Sequence, residues 1–459
     1  MFFEAISSLI QPLLLLVTLL GVSLGIIWGA LPGLSTTMAM ALLIGFTSTM
    51  AQDIAICFML GVYTGSVFGG AISAILINIP GTPDAVPTMI EGHALAKKGE
   101  AGTALGTAIF GSFVGNWIGI LILIFLMPFL ISVALNFKSW EMFLLSIIGI
   151  SVCGTMCAGE LPIKGWIVGW IGILIAMVGI DPIFGVERFT FGNPNFYDGF
   201  NYVPILIGLF GICEIIKTLP SENKTPIPKK IGKLFLPLKK LSTYITTAIR
   251  SGLIGTFIGA LPGAGANVAS FLSYDIGKKR AKQKEKDKWG KGSYEAIICA
   301  EVANNANIGG SMLPTLALGI PGNAAAAALL AALTMKNIVV GPTIDIDHPG
   351  LVYFIYAALL IANFFMYIMA IALIKPCIKL FSLSRGFLLP LIIPVCVLGA
   401  YAARLNLYDL WIMFFAGLFG YLLSLCKYPT APAVLGVILA PMADENLRRS
   451  LMIFSEKNL

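Results

Sequence analysis

The residues with the clearest chemical potential form a polar patch, Glu301, Asn304 and Asn305, in an otherwise apolar stretch. Their i, i+3 and i+4 spacing puts them on one face if the stretch is helical. A carboxyl group and two amides offer oxygen atoms to a cation or a proton, and they are costly to expose to lipid. The polar patch is therefore predicted to face a cavity and to couple an ion. The alternative is that it only links helices through hydrogen bonds.

Four proline-glycine breaks accompany this patch. Gly-Ala-Leu-Pro-Gly occurs at 29–33 and again at 259–263, and Ile-Pro-Gly follows each copy, at 79–81 and 320–322. Proline removes a backbone donor and glycine relaxes the backbone, so a break inside a membrane frees polar groups that lipid cannot satisfy. A lone break would more simply be a kink. Breaks that are paired in two halves of a chain are typical of a secondary transporter's binding site.

The breaks suit an anion. A half-helix that begins inside the membrane directs its unpaired N–H groups and the positive end of its dipole into the cavity. The break motifs contain no Lys or Arg, which favours recognition of a carboxylate by the backbone. The predicted substrate-binding residues are Gly33, Ser35, Thr36, Asn78, Pro80, Gly81, Thr82, Gly263, Asn267, Pro321, Gly322 and Asn323.

The composition identifies the elements that must position these residues. The chain is 58% hydrophobic and only 12% charged, with a mean hydropathy of +0.90. Soluble domains carry about 25% charged residues. Apolar runs of about 20 residues, long enough to span the hydrocarbon, recur throughout the chain. The fold class is therefore predicted to be an all-α polytopic membrane protein.

The basic residues predict the orientation. The net charge of +7 comes largely from two lysine-rich loops, within 217–240 and 278–291. The positive-inside rule places both loops in the cytoplasm, and this orienting role argues against nucleic acid as a partner. The segment between them, 244–276, must return to the same side, so it is predicted to be a re-entrant hairpin. The first copy, about 9–50, has no flanking Lys or Arg and is predicted to open to the opposite side.

Together these features predict two repeats of inverted topology, each with a re-entrant hairpin and a helix broken at Pro-Gly. The predicted units are a first transmembrane repeat at 1–217, a basic cytoplasmic linker at 218–244 and a second transmembrane repeat at 245–459. The last span is predicted near 429–442. This count places Arg448 and Arg449 outside, against the charge rule, so the location of the C-terminus stays open.

Other conspicuous residues are predicted to be structural. Gly61, Gly65, Gly69 and Gly70 have the small-residue spacing that lets helices approach closely. The eight cysteines lack Cys-x-x-Cys spacing and are predicted to be small buried hydrophobes. No metal site is predicted, and no cofactor beyond a coupling ion, Na⁺ or H⁺. No nucleophile with a base and no metal cluster is recognisable, so the protein is not predicted to be an enzyme.

Several long motifs resemble, in order, the large membrane subunit of the tripartite tricarboxylate transporters. They include GALPGLSTTMAMALL from Gly29, GVYTGSVFGGAISAILINIPGTPDA from Gly61, GALPGAGANVASFLSY from Gly259 and EVANNANIGGSMLPTLALGIPGN from Glu301. The resemblance covers nearly the whole chain. It implies a multi-pass carrier of the bacterial inner (cytoplasmic) membrane that works with a small four-span membrane subunit and a periplasmic solute-binding protein, driven by a sodium or proton gradient.

The chain departs from this family pattern at two places. Ala300 and Val302 stand where a proline and an alanine are usual, and Glu-Gly-His-Ala at 91–94 replaces Asp-Gly-Tyr-Pro. The polar patch is kept, so these departures bear on the choice of substrate. The predicted function is cation-coupled secondary active uptake of a small tricarboxylate or dicarboxylate supplied by the binding protein. The alternative is a stand-alone ion-coupled anion carrier or antiporter.

Overall fold

The computed structural model describes residues 2–157, 161–218, 232–381 and 385–457. Almost all regular structure in these residues is helical. The helices are α1 (Phe2–Leu9), α2 (Pro12–Ala30), α3 (Thr36–Thr47), α4 (Gln52–Ile77), α5 (Val86–Lys97), α6 (Ala101–Ala134), α7 (Ser139–Cys157), α8 (Pro162–Ala176), α9 (Tyr202–Leu206), α10 (Cys213–Thr218), α11 (Leu238–Leu241), α12 (Ile245–Ala260), α13 (Gly265–Arg280), α14 (Gln283–Lys286), α15 (Tyr294–Leu318), α16 (Ala324–Met335), α17 (Ile344–Asp347), α18 (Leu351–Leu380), α19 (Arg385–Arg404), α20 (Tyr408–Leu425) and α21 (Ala431–Lys457).

The helices are accompanied by a short π-helical stretch and a small β-sheet. A π-helical stretch, Ile207–Ile212, joins α9 to α10, and strands β1 (Gly179–Ile180) and β2 (Glu187–Arg188) form an antiparallel pair between α8 and α9. Among the described residues, six helices are long and apolar enough to cross a membrane: α2, α4, α6, α7, α18 and α20. The fold is therefore that of an all-α, multi-pass membrane protein. The predicted linker, 218–244, lies partly outside the described residues.

Close packing of α2 on α4 and of α12 on α15 depends on glycine. A Cβ on Gly25 of α2 would lie 2.4 Å from the carbonyl oxygen of Val62 in α4. A Cβ on Gly255 of α12 would lie 2.3 Å from the carbonyl oxygen of Ala303 in α15. The predicted packing of helix on helix is confirmed for Gly61, Gly65 and Gly69, which each lie against the backbone of α2, whereas Gly70 lies against Thr82. Small residues at such crossings let two helix backbones approach closely.

The two broken helices, α4 to α5 and α15 to α16, run in opposite directions. Lys336, just after the end of α16, donates to the carbonyl oxygens of Ser48 (2.8 Å) and Met50 (2.5 Å), just before α4 begins. Lys98, just after the end of α5, donates to the carbonyl oxygen of Lys291 (2.6 Å), just before α15 begins. The start of each broken helix therefore adjoins the end of the other.

The last predicted span, near 429–442, lies in a longer helix, α21, which continues to Lys457. Residues 443–450 are mostly polar. Among them, Arg448 donates from Nε to Asp444 one turn earlier (2.9 Å), a pairing that favours the helix. Arg448 also pairs with Asp181 of the β1–β2 loop. Arg448, which disagrees with the positive-inside rule on the predicted count of spans, thus forms ion pairs with two carboxylates beside this loop.

Candidate substrate and ion site

All four breaks interrupt helices where the sequence indicates. The hairpin turns, between α2 and α3 and between α12 and α13, each contain a glycine in the left-handed region, Gly33 (φ 88°) and Gly263 (φ 77°). The breaks within the long helices begin with the left-handed residues Asn78 (φ 54°) and Gly319 (φ 70°). Left-handed residues end helices at low steric cost only when they are glycine or asparagine. Local sequence therefore determines each break.

The break glycines Gly81 and Gly322 lie against their own hairpins. A Cβ on Gly81 would lie 2.0 Å from the carbonyl oxygen of Gly29, and a Cβ on Gly322 would lie 2.6 Å from that of Gly259. The N–H of Gly81 donates to the carbonyl oxygen of Gly70 (3.3 Å), and that of Gly322 donates to Thr315 Oγ1 (3.3 Å). These amides, predicted to bind substrate, thus have partners within the protein.

The third break glycine also has an internal partner. The N–H of Gly263 donates to the carbonyl oxygen of Gly322 (2.8 Å), which ties the tip of the second hairpin to the break after α15. Each hairpin therefore meets the broken helix of its own half. Pro321 is buried here, while Pro80 in the first half is half-buried.

Two of the predicted side chains are helix caps. Ser35 accepts from the N–H of Met38 (3.1 Å) at the start of α3, and Asn323 accepts from the N–H of Ala326 (2.8 Å) at the start of α16. Such caps satisfy one of the unpaired donors at a helix start and leave others free. Beside the first cap, Thr36 is buried and its hydroxyl has no partner among the described residues.

Asn78 and Asn267 differ from the other predicted polar residues because both are exposed. The rest of the predicted hydroxyl and amide groups at the breaks are buried or half-buried. Asn78 and Asn267 are therefore not among the buried polar residues of the breaks, which include Thr36, Thr82 and Asn323.

A junction of hydrogen bonds joins α4 to the break after α15. The hydroxyl of Tyr63 on α4 lies 3.0 Å from Ser311 Oγ and accepts from Asn323 Nδ2 (2.8 Å). Asn323 Nδ2 also donates to Asn307 Oδ1 (2.9 Å). Tyr63, Ser311 and Asn323, which we name the closed junction, are buried and satisfy one another. They connect the two halves of the chain next to the fourth break.

Glu301 lies between three helices and is fully buried. Thr88 of α5 donates from Oγ1 to Glu301 Oε1 (2.5 Å), and Ser112 of α6 donates from Oγ to Oε2 (2.8 Å). No ion pair with Glu301 occurs among the described residues. A buried carboxyl group without a positive partner is stable only if it takes up a proton or faces a bound cation. This geometry suits an ion-coupling residue.

Asn305 supports in part the alternative interpretation that the polar patch links helices through hydrogen bonds. Its Nδ2 donates to the carbonyl oxygen of Glu301 (3.0 Å), and its Oδ1 lies 3.5 Å from Asn116 Nδ2 on α6. Asn116 donates in turn to Asn363 Oδ1 on α18 (3.1 Å). Asn305 therefore contributes to hydrogen bonding between helices, whereas Glu301 faces hydroxyl groups.

Asp84 is an acidic residue of this region that sequence reasoning missed. It follows the first broken helix's Pro-Gly turn, is 8% exposed, and approaches the side chains of Asn304 and Thr82. Its carboxyl group is also close enough to Glu301 for the two to interact electrostatically. The available signal was its place in Ile-Pro-Gly-Thr-Pro-Asp, three residues after the break glycine. The partner amide lies 220 residues away in the sequence, and only the fold brings them together.

Glu91, at the departure from the family pattern, links three parts of the fold by hydrogen bonds. Its buried carboxylate accepts from the hydroxyl of Tyr274 (2.7 Å) and from the N–H groups of Gly290 (2.6 Å), Gly292 (3.0 Å) and Ser293 (2.9 Å). Four donors satisfy the charge without a basic side chain. Glu91 thereby fastens α5 to α13 and to the loop before α15.

Comparison with known proteins shows which family this chain resembles. Residues 15–435 match the tripartite tricarboxylate transporter TctA family. A relative from Agrobacterium vitis, an uncharacterised 52.8 kDa protein of the TAR-I ttuC' 3' region, is 35% identical over 435 residues, which cover 94% of this chain and 86% of the relative. A second, an uncharacterised protein of the TAR-II ttuC' 3' region, is 33% identical over 199 residues, 43% of this chain and 81% of the relative.

No solved structure matches this chain. The family match nevertheless spans both hairpins, both broken helices and the polar patch. On this match, and on the relative that aligns along most of its length, the chain belongs to the tripartite tricarboxylate transporter TctA family.

Proposed function

We propose that this chain is the membrane subunit that carries out cation-coupled uptake of a small tricarboxylate or dicarboxylate across the bacterial inner membrane. In this proposal a periplasmic solute-binding protein delivers the substrate and a small four-span membrane subunit completes the complex. Family membership supports the transporter class. The single observation that carries the cation coupling is Glu301, a fully buried acid that two hydroxyl groups contact and that forms no ion pair with a basic side chain among the described residues.

The substrate carboxylates are proposed to bind at the starts of the half-helices, where the breaks leave N–H groups unpaired. Because the N–H groups of Gly81, Gly263 and Gly322 have internal partners, the donors that remain are those beside the caps, with the unpartnered hydroxyl of Thr36. Backbone donors without a basic side chain would bind a carboxylate and still release it readily.

Two inverted repeats, 1–217 and 245–459, joined by a linker at 218–244, are the proposed architecture. The opposite directions of the two broken helices support it, as does the equivalent packing of Gly25 on Val62 and of Gly255 on Ala303. Alternation between the two sides of the membrane would then exchange the roles of the two halves.

Cysteine labelling tests the orientation. Thr49 and Lys282 are both exposed, so cysteines at these positions should react with a reagent that does not cross membranes. We expect Thr49→Cys to be labelled from the periplasm alone and Lys282→Cys from the cytoplasm alone. The exposed native Cys426 should be replaced first, because it would react as well. Labelling of both introduced cysteines from the same side would contradict the inverted repeats.

Uptake of radiolabelled carboxylates tests the function itself. Right-side-out vesicles with this chain and its neighbouring small subunit would be given defined Na⁺ and pH gradients, and the binding protein would be added from outside. We expect uptake only when both the binding protein and a cation gradient are present. Uptake without any binding protein would favour the stand-alone carrier, and no carboxylate uptake under any gradient would contradict the proposal.

A further inference from the structure

Three buried oxygen atoms near the first broken helix have no hydrogen-bond partner among the described residues. They are Thr82 Oγ1, Asp84 Oδ2 and Asn304 Oδ1, and their residues are 1%, 8% and 1% exposed. Asp84 approaches both of the other side chains, so the three residues belong to one cluster, which we name the open junction. Buried polar atoms are almost always satisfied, so three buried oxygens without a partner in one cluster indicate a missing ligand.

The second half of the chain provides an internal comparison. Gly81 lies against Gly29 and Gly70, and Gly322 lies in the same way against Gly259 and Ser311. With these two glycines aligned, the open junction corresponds to the closed junction. Thr82 corresponds to Asn323, Asn304 to Tyr63, Gly70 to Ser311 and Asp84 to Ala325.

The two junctions differ in how their polar atoms are satisfied. In the closed junction the large side chain of Tyr63 reaches Ser311 and Asn323 and fills the place with hydrogen bonds. In the open junction the equivalent side chains are smaller, and an acid replaces Ala325. Side chains therefore satisfy one another in the closed junction, whereas the open junction contains a carboxylate and oxygen atoms without partners.

We propose that the open junction binds Na⁺ through the carboxyl group of Asp84, the hydroxyl of Thr82 and the amide oxygen of Asn304. Hard cations take oxygen ligands of these types, and a buried carboxyl group that lacks an ion pair either takes up a proton or coordinates a cation. Asp84 forms no ion pair among the described residues. Glu301 lies close to Asp84 and adds negative potential at the site.

The number of acceptors favours Na⁺ over a divalent ion. Mg²⁺ or Ca²⁺ takes six or more oxygen ligands, usually from more than one carboxylate. Both oxygens of Glu301 already accept from Thr88 and Ser112, so one free carboxylate and two neutral oxygens match a monovalent charge better.

This inference deepens the proposed function, because bound Na⁺ would be the coupling ion of the carboxylate site. Both acidic side chains would otherwise repel an anionic substrate nearby. A cation bound at the open junction would lower that repulsion, and the substrate would in turn stabilise the bound cation. Binding of each would therefore favour binding of the other by the same factor.

Sodium binding to the purified full chain tests the open junction without any need for transport. Binding of ²²Na⁺ and the unfolding temperature would be measured in NaCl, KCl and choline chloride at equal ionic strength. We expect a saturable rise in unfolding temperature with Na⁺ alone, since a ligand that binds the folded state stabilises it. Asp84→Asn and Thr82→Val should each lower the apparent Na⁺ affinity by about tenfold or more, the loss typical of a weakened metal site.

Thr82→Val keeps the shape of the side chain, so a lower Na⁺ affinity in this variant would not result from misfolding. Asp345→Asn is the matched control, because it makes the same kind of change at an exposed aspartate. The control should bind Na⁺ as the natural chain does. Equal responses to Na⁺ and K⁺, or unchanged Na⁺ affinity in both open-junction variants, would overturn the Na⁺ site. Uptake driven by a pH gradient without Na⁺ would also overturn it and leave carboxylate transport standing. Specific Na⁺ binding without any carboxylate uptake would retain the site and reject the proposed function.

Discussion

Gly81→Ala is expected to destabilise the folded protein by about 3 kcal/mol or more, the upper end of the cost of overpacking a core. The added Cβ would lie 2.0 Å from the carbonyl oxygen of Gly29 and 2.8 Å from Cα of Gly70, and neither backbone can move without separating α2 from α4. Gly322→Ala should have a similar effect through Gly259 and Ser311. The yield of monodisperse protein and its unfolding temperature in detergent are the measurements.

The matched control for these substitutions is Gly341→Ala. A Cβ at Gly341 meets no atom within 4 Å, so the same change of residue type should leave yield and unfolding temperature unaltered. If Gly81→Ala gave stable protein that had lost only carboxylate binding, then the packing explanation would be wrong. Substrate recognition at the Gly81 backbone would be favoured instead.

Glu301→Gln is expected to remove the dependence of uptake on the cation gradient and to lower the uptake rate by about tenfold or more. Glu301 contributes negative potential at the cation site, and loss of one member of a buried pair of opposite charges typically costs about 2–5 kcal/mol, where 1.4 kcal/mol corresponds to tenfold. The amide can still accept from one hydroxyl and donate to the other, so the contacts with Thr88 and Ser112 can persist. The measurement is initial uptake against Na⁺ concentration and pH in vesicles.

Glu141→Gln is the matched control, because Glu141 is exposed and accepts from the N–H of Lys138, which an amide can also do. Its uptake should follow the natural protein. Equal folding of both variants must be checked by the amount of protein in the membrane. Should Glu301→Gln transport at the normal rate with the same ion dependence, Glu301 would have a structural role alone.

Much of the fold could be predicted because its determinants are local. Length and hydropathy place the spans, and the Pro-Gly pairs place the breaks, since proline and left-handed glycine end a helix whatever surrounds them. The sequence predicted the last apolar span near 429–442 but not the length of the helix that contains it. Ion pairs such as that of Arg448 with Asp444 stabilise α21 beyond that span.

The sequence by itself determined the membrane class, the four breaks and the presence of an acid and amides on one helix face. It could not determine which of those groups have partners. The breaks supply donors in every case, yet the N–H groups of Gly81 and Gly322 are used by Gly70 and Thr315 within the fold. Only the tertiary structure brings Asp84 to Asn304 and leaves their oxygens unpaired, while Tyr63 fills the equivalent place in the other half. The physical reason is that a break depends on the conformation of a few adjacent residues. Satisfaction of a buried polar group depends instead on side chains that the packing of distant helices brings within hydrogen-bond reach.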